Sequence, residues 1–332
     1  MTFSPVTHYP PGVIVRFTAR LLAGPRGTSV LEVLERCVAI QAQELRAGYL
    51  GVRARSTGLA RSDVDQALAS GAAVITSLAR GTLHLIRSED YPWLHVLTPQ
   101  LATGNATRLR QEGLSPAQAD EAVGVIRGAL AGGPITRAGL REVVDARGIP
   151  TAGQALVHLL LKATLAGVCV RGPLVGGEQA FVLVSDWLGR QGHWTREQAL
   201  RELGVRYLAG HVPATDRDLA KWAGIGQRDA RAALAGVSPP VYDVDVPPPT
   251  LLGPWDELLM GWESRDWVLD DAQGTVVLGG IFRPFALVEG RAVATWSVTT
   301  GELRPFATLP DSAAPALAAE LADVRRFLGD HS

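Results

Sequence analysis

Twice in this chain a proline-containing turn ends on a threonine that opens a short amphipathic helix: GGPIT at 132–136 and HVPAT at 211–215. A threonine there can cap the helix with its side-chain oxygen. A helix so begun, set between two others, is the helix–turn–helix pattern. Around the first signal, SPAQADEAVGVIRGALAGG (115–133), TRAGLREVVDARG (136–148) and TAGQALVHLLLKATLAG (151–167) read as three helices, and residues 168–184 alternate like a hairpin. Around the second, helices are expected over 195–212, 215–224 and 226–236, with a β arm starting at VYDVDV, 241–246. A less clear copy comes first. Residues 12–24 read as a helix closed by Gly24, and VLEVLERCVAI as a helix with Leu31, Leu34, Val38 and Ile40 on one stripe. ARSDVDQALASG then reads as a short helix stopped by Gly71, and AVITSLARGTLHLI as two β arms around Arg80–Gly81. Helices followed by a β ribbon, three times over, outline three winged helices.

Beyond the proline runs at 239–240 and 247–249 the character changes. Residues 267–298 alternate with period two and turn at Gly274, Gly279–Gly280 and Glu289–Gly290, before a last helix over 312–329. The expected fold is α+β and predominantly helical: three tandem winged helix-turn-helix units, then a C-terminal antiparallel β sheet or partial barrel. The expected segments are 1–104, with the first winged helix; 105–190, the second; 191–249, the third; and 250–332, the β-rich unit with its closing helix. A chain of 332 residues accommodates such a division, since single cores seldom grow past about 250–300 residues.

Composition narrows the chemistry. Cys37 and Cys169 stand far apart with no CxxC, which suits reduced structural thiols in a cytoplasmic protein. The N-terminus lacks the regions of a signal peptide, and the most apolar stretch, 155–170, carries His158 and Lys162 and is too short to span a bilayer. Asp266, Asp270 and Asp271 have no recognisable metal-ligand spacing, and neither metal nor cofactor is expected. Residues 239–332 hold 6 Arg against 14 Asp and Glu, a net charge of −8, whereas residues 1–238 hold 26 basic and 19 acidic residues, a net of +7. A basic lobe joined to an acidic one could bind a polyanion on one side. Nearly all the basic residues are arginine, which suits phosphate forks and follows equally from a GC-rich genome.

RCVAIQAQELRAG, 36–48, sets Gln41 and Gln43 two positions apart at the end of an apolar run. On a helix such a pair points apart; in extended or helix-terminal backbone it points to one side. Glutamine does not ionise, so the pair cannot be a general base, but its carbonyls can orient a water.

Taken in order, VAIQAQELRAGYLGVRARS (38–56), ARGTLHLIRSEDYPWL (79–94), LLGPWDELLMGWESRDWVLD (251–270), GRAVATW (290–296) and RRFLG (325–329) resemble the AlkZ/YcaQ family of bacterial winged-helix DNA glycosylases over nearly the whole chain. QAQ matches the family's Gln-Φ-Gln segment, ARGTLH its Arg-Gly-Thr-Leu-His signature, and GPWD its Gly-Pro-Phe-Asp stretch. Two departures stand out: Ala79 replaces the usual methionine and Trp255 the usual phenylalanine.

The resemblance implies hydrolysis of the N-glycosidic bond of cationic, alkylated purines in double-stranded DNA, with Gln41 and Gln43 holding the attacking water. It leaves open monoadducts, bulky adducts and interstrand crosslinks. Arg80 and His84 are either a salt bridge and a core histidine or a buttress and phosphate contact. Gln227, Arg228 and Arg231 lie on the expected recognition helix of the third unit, as phosphate contacts or a solvated face. Arg283 lies between turns of the β unit as a further DNA contact, and Trp255 and Asp256 read as core and cap. Two alternatives compete. A non-enzymatic winged-helix regulator should read sequence and dimerise over half-sites, whereas three winged helices on one chain suit a monomeric clamp; a relative that has lost activity would only shield lesions.

Overall fold

The computed structural model describes residues 11–329, and the chain divides into two compact units: residues 1–64 with 200–332, and residues 65–199. It passes between them within the helices Arg61–Ala69 and Arg196–His211. Antiparallel sheets and many short helices give an α+β fold in each unit.

In the second unit five strands pair antiparallel in the order 82–87, 73–78, 169–175, 178–183 and 135–136. The helices Gln100–Gln111, Pro116–Leu130, Arg137–Asp145 and Ala155–Leu165 supply the rest of its core, through Leu109, Ile126, Leu140, Val144, Leu156 and Leu159. Local signals set the helix starts. Ser115 and Gln118 form a capping box, and Thr136 Oγ1 accepts the Gly139 amide.

In the first unit Thr215 caps Asp216–Ala223 with Asp218 as its reciprocal partner, and Gly224 ends that helix at φ +64°. A four-stranded antiparallel sheet runs in the order 303–305, 291–296, 285–288, 250–252, and a small ribbon pairs 277–278 with 281–282. Its hydrophobic core is built from both ends of the chain: Phe17, Leu22 and Ala54 pack among Leu252, Leu258, Trp262, Phe285 and Leu287. Arg53, itself buried, joins them further, donating to Asp323 at 2.7 Å and Glu320 at 2.6 Å on the last helix, Ala313–Leu328.

Several expectations need correction. The helix after Pro11 ends at Ala19, well before Gly24, and the chain then turns through Leu21 at φ +58°. The helix Val30–Cys37 buries Val30, Val33, Leu34 and Cys37, leaving Leu31 exposed; Val38 and Ile40 lie beyond it. VYDVDV forms no strand, so the third helical group carries no regular β arm. Residues 266–276 form short helical turns in place of the expected alternating strand; the first buries the adjacent pair Val268 and Leu269, which an alternating strand would point to opposite faces. Gly274 therefore lies inside a helical turn. Cys37 and Cys169 are free, buried thiols, and burial raises Cys169 to about 11.

Candidate active site

The glutamine segment is shaped by its backbone. The helix Val30–Cys37 stops at Val38, whose φ of +67° is a conformation that a β-branched residue rarely adopts. Such a residue costs on the order of 1–3 kcal/mol and persists only where its surroundings over-determine it. The turn sends the chain from helix to the two-residue strand Ile40–Gln41 within two positions. The following helix, Leu45–Arg53, approaches closely because it is glycine-faced. A Cβ on Gly51 would lie 2.6 Å from Ile40 Cγ2, and one on Gly48 would lie 3.1 Å from Ala42 Cβ.

Gln41 is buried, and its Oε1 has no hydrogen-bond partner among the described residues. An unsatisfied buried carbonyl costs about 1–3 kcal/mol, so this oxygen keeps unused acceptor capacity inside the fold. Gln43 lies two residues on, exposed, in irregular backbone. The two amides thus differ in environment: one is an inner acceptor, the other faces solvent.

The main chain of Gln41 is held from far away. Its amide donates to Glu257 Oε1 at 2.8 Å. The other oxygen, Oε2, receives Trp222 Nε1 at 3.3 Å and lies 3.7 Å from Arg20 Nη2. Arg20 Nη1 is 3.1 Å from His211 Nε2, while His211 Nδ1 lies 2.9 Å from the Tyr207 carbonyl. Since a carbonyl only accepts, Nδ1 carries the proton and Nε2 accepts from Arg20. Burial, then the Arg20 charge, keeps the His211 imidazole well below its ordinary value and therefore neutral. Its ring stacks on Tyr207 at 4.1 Å, and burial raises the Tyr207 phenol.

Beside Glu257, Asp256 takes both terminal nitrogens of the fully buried Arg55 at 2.7 and 2.9 Å and also caps the Leu258 amide. Burial would push the Asp256 carboxyl up, but Arg55 and the Leu258 amide hold it below its ordinary value. Burial would likewise lower Arg55, and Asp256 reverses it. Asp256 is accordingly a buried cap and ion-pair partner. Trp255, at φ +50°, packs partly buried on the same core. Sequence reasoning did not single out Glu257, Arg20, Arg55 or His211. The available signal was an acidic pair inside the apolar run LLGPWDELLMGW, where a charge must find a buried partner.

The residues expected to touch DNA are dispersed. Arg80 is exposed on the turn joining strands 73–78 and 82–87, beside Ala79 at φ +50°. His84 is buried on strand 82–87, with Nδ1 3.0 Å from the Thr82 carbonyl. Gln227, half-buried, and exposed Arg228 and Arg231 lie on the helix Gln227–Leu234, where Arg231 Nε donates to Asp216 at 2.8 Å. Arg283 is exposed just after the ribbon strand Ile281–Phe282. Asp270 pairs with Arg291 at 3.1 Å and Asp266 accepts the Ser264 hydroxyl, while no three His, Cys, Asp or Glu side chains converge on a metal position among the described residues. None of those residues forms a helix long and apolar enough to cross a membrane.

A model of the family described as DNA glycosylase AlkZ-like matches residues 34–327. A curated relative, the interstrand DNA cross-link repair glycosylase of Streptomyces sahachiroi, is 26% identical, covering 91% of each chain. The solved structure of Streptomyces sahachiroi DNA glycosylase AlkZ superposes with a TM-score of 0.77 at 22% identity, covering 96% of each chain. That likeness establishes a common fold.

Proposed function

This chain belongs to the AlkZ-like DNA glycosylase family, enzymes that hydrolyse N-glycosyl bonds, and from that premise we propose that its substrates are cationic alkylated purines in duplex DNA, interstrand crosslinks among them, with Gln41 and Gln43 positioning the attacking water. The observation that carries this reading is the buried, unpartnered Oε1 of Gln41 on a short strand whose backbone is pinned to Glu257.

An N7-alkylated purine already carries positive charge, so it leaves without help from an acid. As the C1′–N9 bond breaks, its electron pair enters the cationic ring and the base departs neutral. The sugar develops oxocarbenium character, by analogy with glycoside hydrolysis. A water adds to C1′ and its proton passes to solvent. The glutamine carbonyls accept hydrogen bonds from that water and fix its direction, catalysis by orientation and dipole. The buried amide of Gln41 serves as the inner acceptor and exposed Gln43 as the outer one. Neither ionises, so the rate of base release should show no titration near neutral pH. The cross-link repair named for the Streptomyces sahachiroi relative supports including crosslinks among the substrates. A crosslinked base stays tethered to both strands, so the water must reach the sugar without full extrusion of the base.

We further read the first two helical groups as winged helix-turn-helix units within segments 1–104 and 105–190, and the third, within 191–249, as a helix-turn-helix unit without a regular β arm, followed by the β-rich segment 250–332, the whole binding DNA as a cytoplasmic monomer. Arg80, His84, Gln227, Arg228, Arg231 and Arg283 are their proposed DNA contacts. Arg231, already engaged by Asp216, can give only part of its guanidinium to a phosphate. Incubating the protein with duplexes carrying N7-methylguanine or an N7–N7 guanine crosslink, then cleaving abasic sites with alkali, tests the assignment. Strand scission at the lesion is expected. Intact strands with both lesions would refute the substrate assignment.

A further inference from the structure

A two-residue strand has little hydrogen bonding of its own with which to hold a catalytic side chain, so something outside it must set the position of Gln41. Among the described residues, Glu257 bonds its main chain, through the 2.8 Å contact from the Gln41 amide. That carboxylate does not cap its own helix, a task performed by Asp256. Its second oxygen meets Trp222 Nε1 and the Arg20 guanidinium, and Arg20 in turn rests on neutral His211. All of these groups are buried. A buried charge is costly unless its partners are fixed. Here the partners come from the segment after the first helix, from Ile40–Gln41 and from Asp216–Ala223, so the carboxylate ties the glutamine strand to two other parts of the same unit.

We propose that Glu257 is a positioning residue for base release, acting through the Gln41 main chain to aim its carboxamide at the water. The inference rests on the reading that Gln41 orients that water. Shortening the side chain in Glu257→Asp withdraws the carboxylate by about 1.5 Å, and a displacement of about 1 Å in a positioned group can cost on the order of 100-fold in rate. Trp222→Phe keeps most of the aromatic packing and removes one anchor of the carboxylate, so a smaller loss is expected.

The test is a double-mutant cycle read by single-turnover release of N7-methylguanine, with DNA affinity and thermal midpoint recorded for every variant. In the wild-type background Glu257→Asp should lose about 10–100-fold in rate with unchanged DNA affinity. In a Gln41→Ala background it should lose almost nothing more, because the group it positions has gone. Trp222→Phe should behave in the same way, more weakly, and serves if Glu257→Asp does not fold. Equal losses in both backgrounds, scaling with the fall in thermal midpoint, would make Glu257 a purely structural residue and overturn the inference while leaving the glutamine reading intact. A wild-type rate in Glu257→Asp beside a slow Gln41→Ala would do the same. A wild-type rate in Gln41→Ala would remove both.

Discussion

Removing the Asp256 carboxylate should expose how much of the first unit depends on one buried ion pair. Arg55 and Asp256 are buried and meet through two contacts of 2.7 and 2.9 Å. In Asp256→Ala the guanidinium keeps the Gly51 carbonyl at 3.0 Å and loses its hydrogen-bonded counter-ion. The helix Glu257–Met260 also loses its cap from Asp256 to Leu258. Breaking a buried pair by deleting one partner costs about 3–5 kcal/mol. For a unit of this size about 2–4 °C is lost per kcal/mol, which gives a fall of roughly 6–20 °C in thermal midpoint. Differential scanning calorimetry at neutral pH measures it. Replacing both partners, Arg55→Met with Asp256→Leu, should recover at least about half of the loss, because no charge remains buried. The sign with pH follows from the depressed carboxyl of Asp256. Its stabilisation is fully present above the ordinary aspartate value of about 3.9 and is lost as pH falls through the lower folded value. A fall below about 1 kcal/mol in Asp256→Ala, or an equal loss in the double variant, would refute the buried-pair account.

His211 should impose a second pH dependence. Its folded value lies well below the ordinary one, so the unfolded chain takes up a proton that the folded chain refuses. Unfolding free energy should therefore fall below about pH 6.5, by up to about 1.4 kcal/mol per pH unit from this residue, and chemical denaturation should show that slope reduced in His211→Gln. Gly51→Ala puts a methyl 2.6 Å from Ile40 Cγ2; overpacking should cost about 1–3 kcal/mol in calorimetry and slow base release with DNA affinity unchanged. DNA binding should be independent of sequence and weaken linearly with log salt. Fluorescence anisotropy should show Arg228→Ala lowering that slope by about 1.

Local chemistry was readable in the sequence and long-range chemistry was not. Thr136, Thr215 and Ser115 cap the helices they were expected to open, because a cap depends on residues two or three positions away. The hairpins 73–78 with 82–87 and 169–175 with 178–183 likewise followed from alternation around turn residues. The helix Leu45–Arg53 escaped notice since Gly48 and Gly51 weaken helix propensity; both are there for close approach to Ala42 and Ile40. The bonds that hold the site join residues 216 positions apart, Gln41 and Glu257, and 201 apart, Arg55 and Asp256. No periodicity encodes such pairs. They also alter the meaning of the charge asymmetry. Buried Arg20, Arg53 and Arg55 meet Glu257, Glu320, Asp323 and Asp256, so part of the basic excess in the first two-thirds is matched inside the fold and is not offered to DNA.

The central claim, that two amides on QAQ direct the water, is tested most directly by single-turnover release of N7-methylguanine from a duplex by Gln41→Ala and Gln43→Ala. Loss of one positioned polar group should slow release by about 10²–10³-fold in each, with DNA affinity and thermal midpoint close to wild type. The double variant should lose less than the product of the two, because both amides serve one water. Release at the wild-type rate by both single variants would contradict the account and leave QAQ as a structural strand and turn.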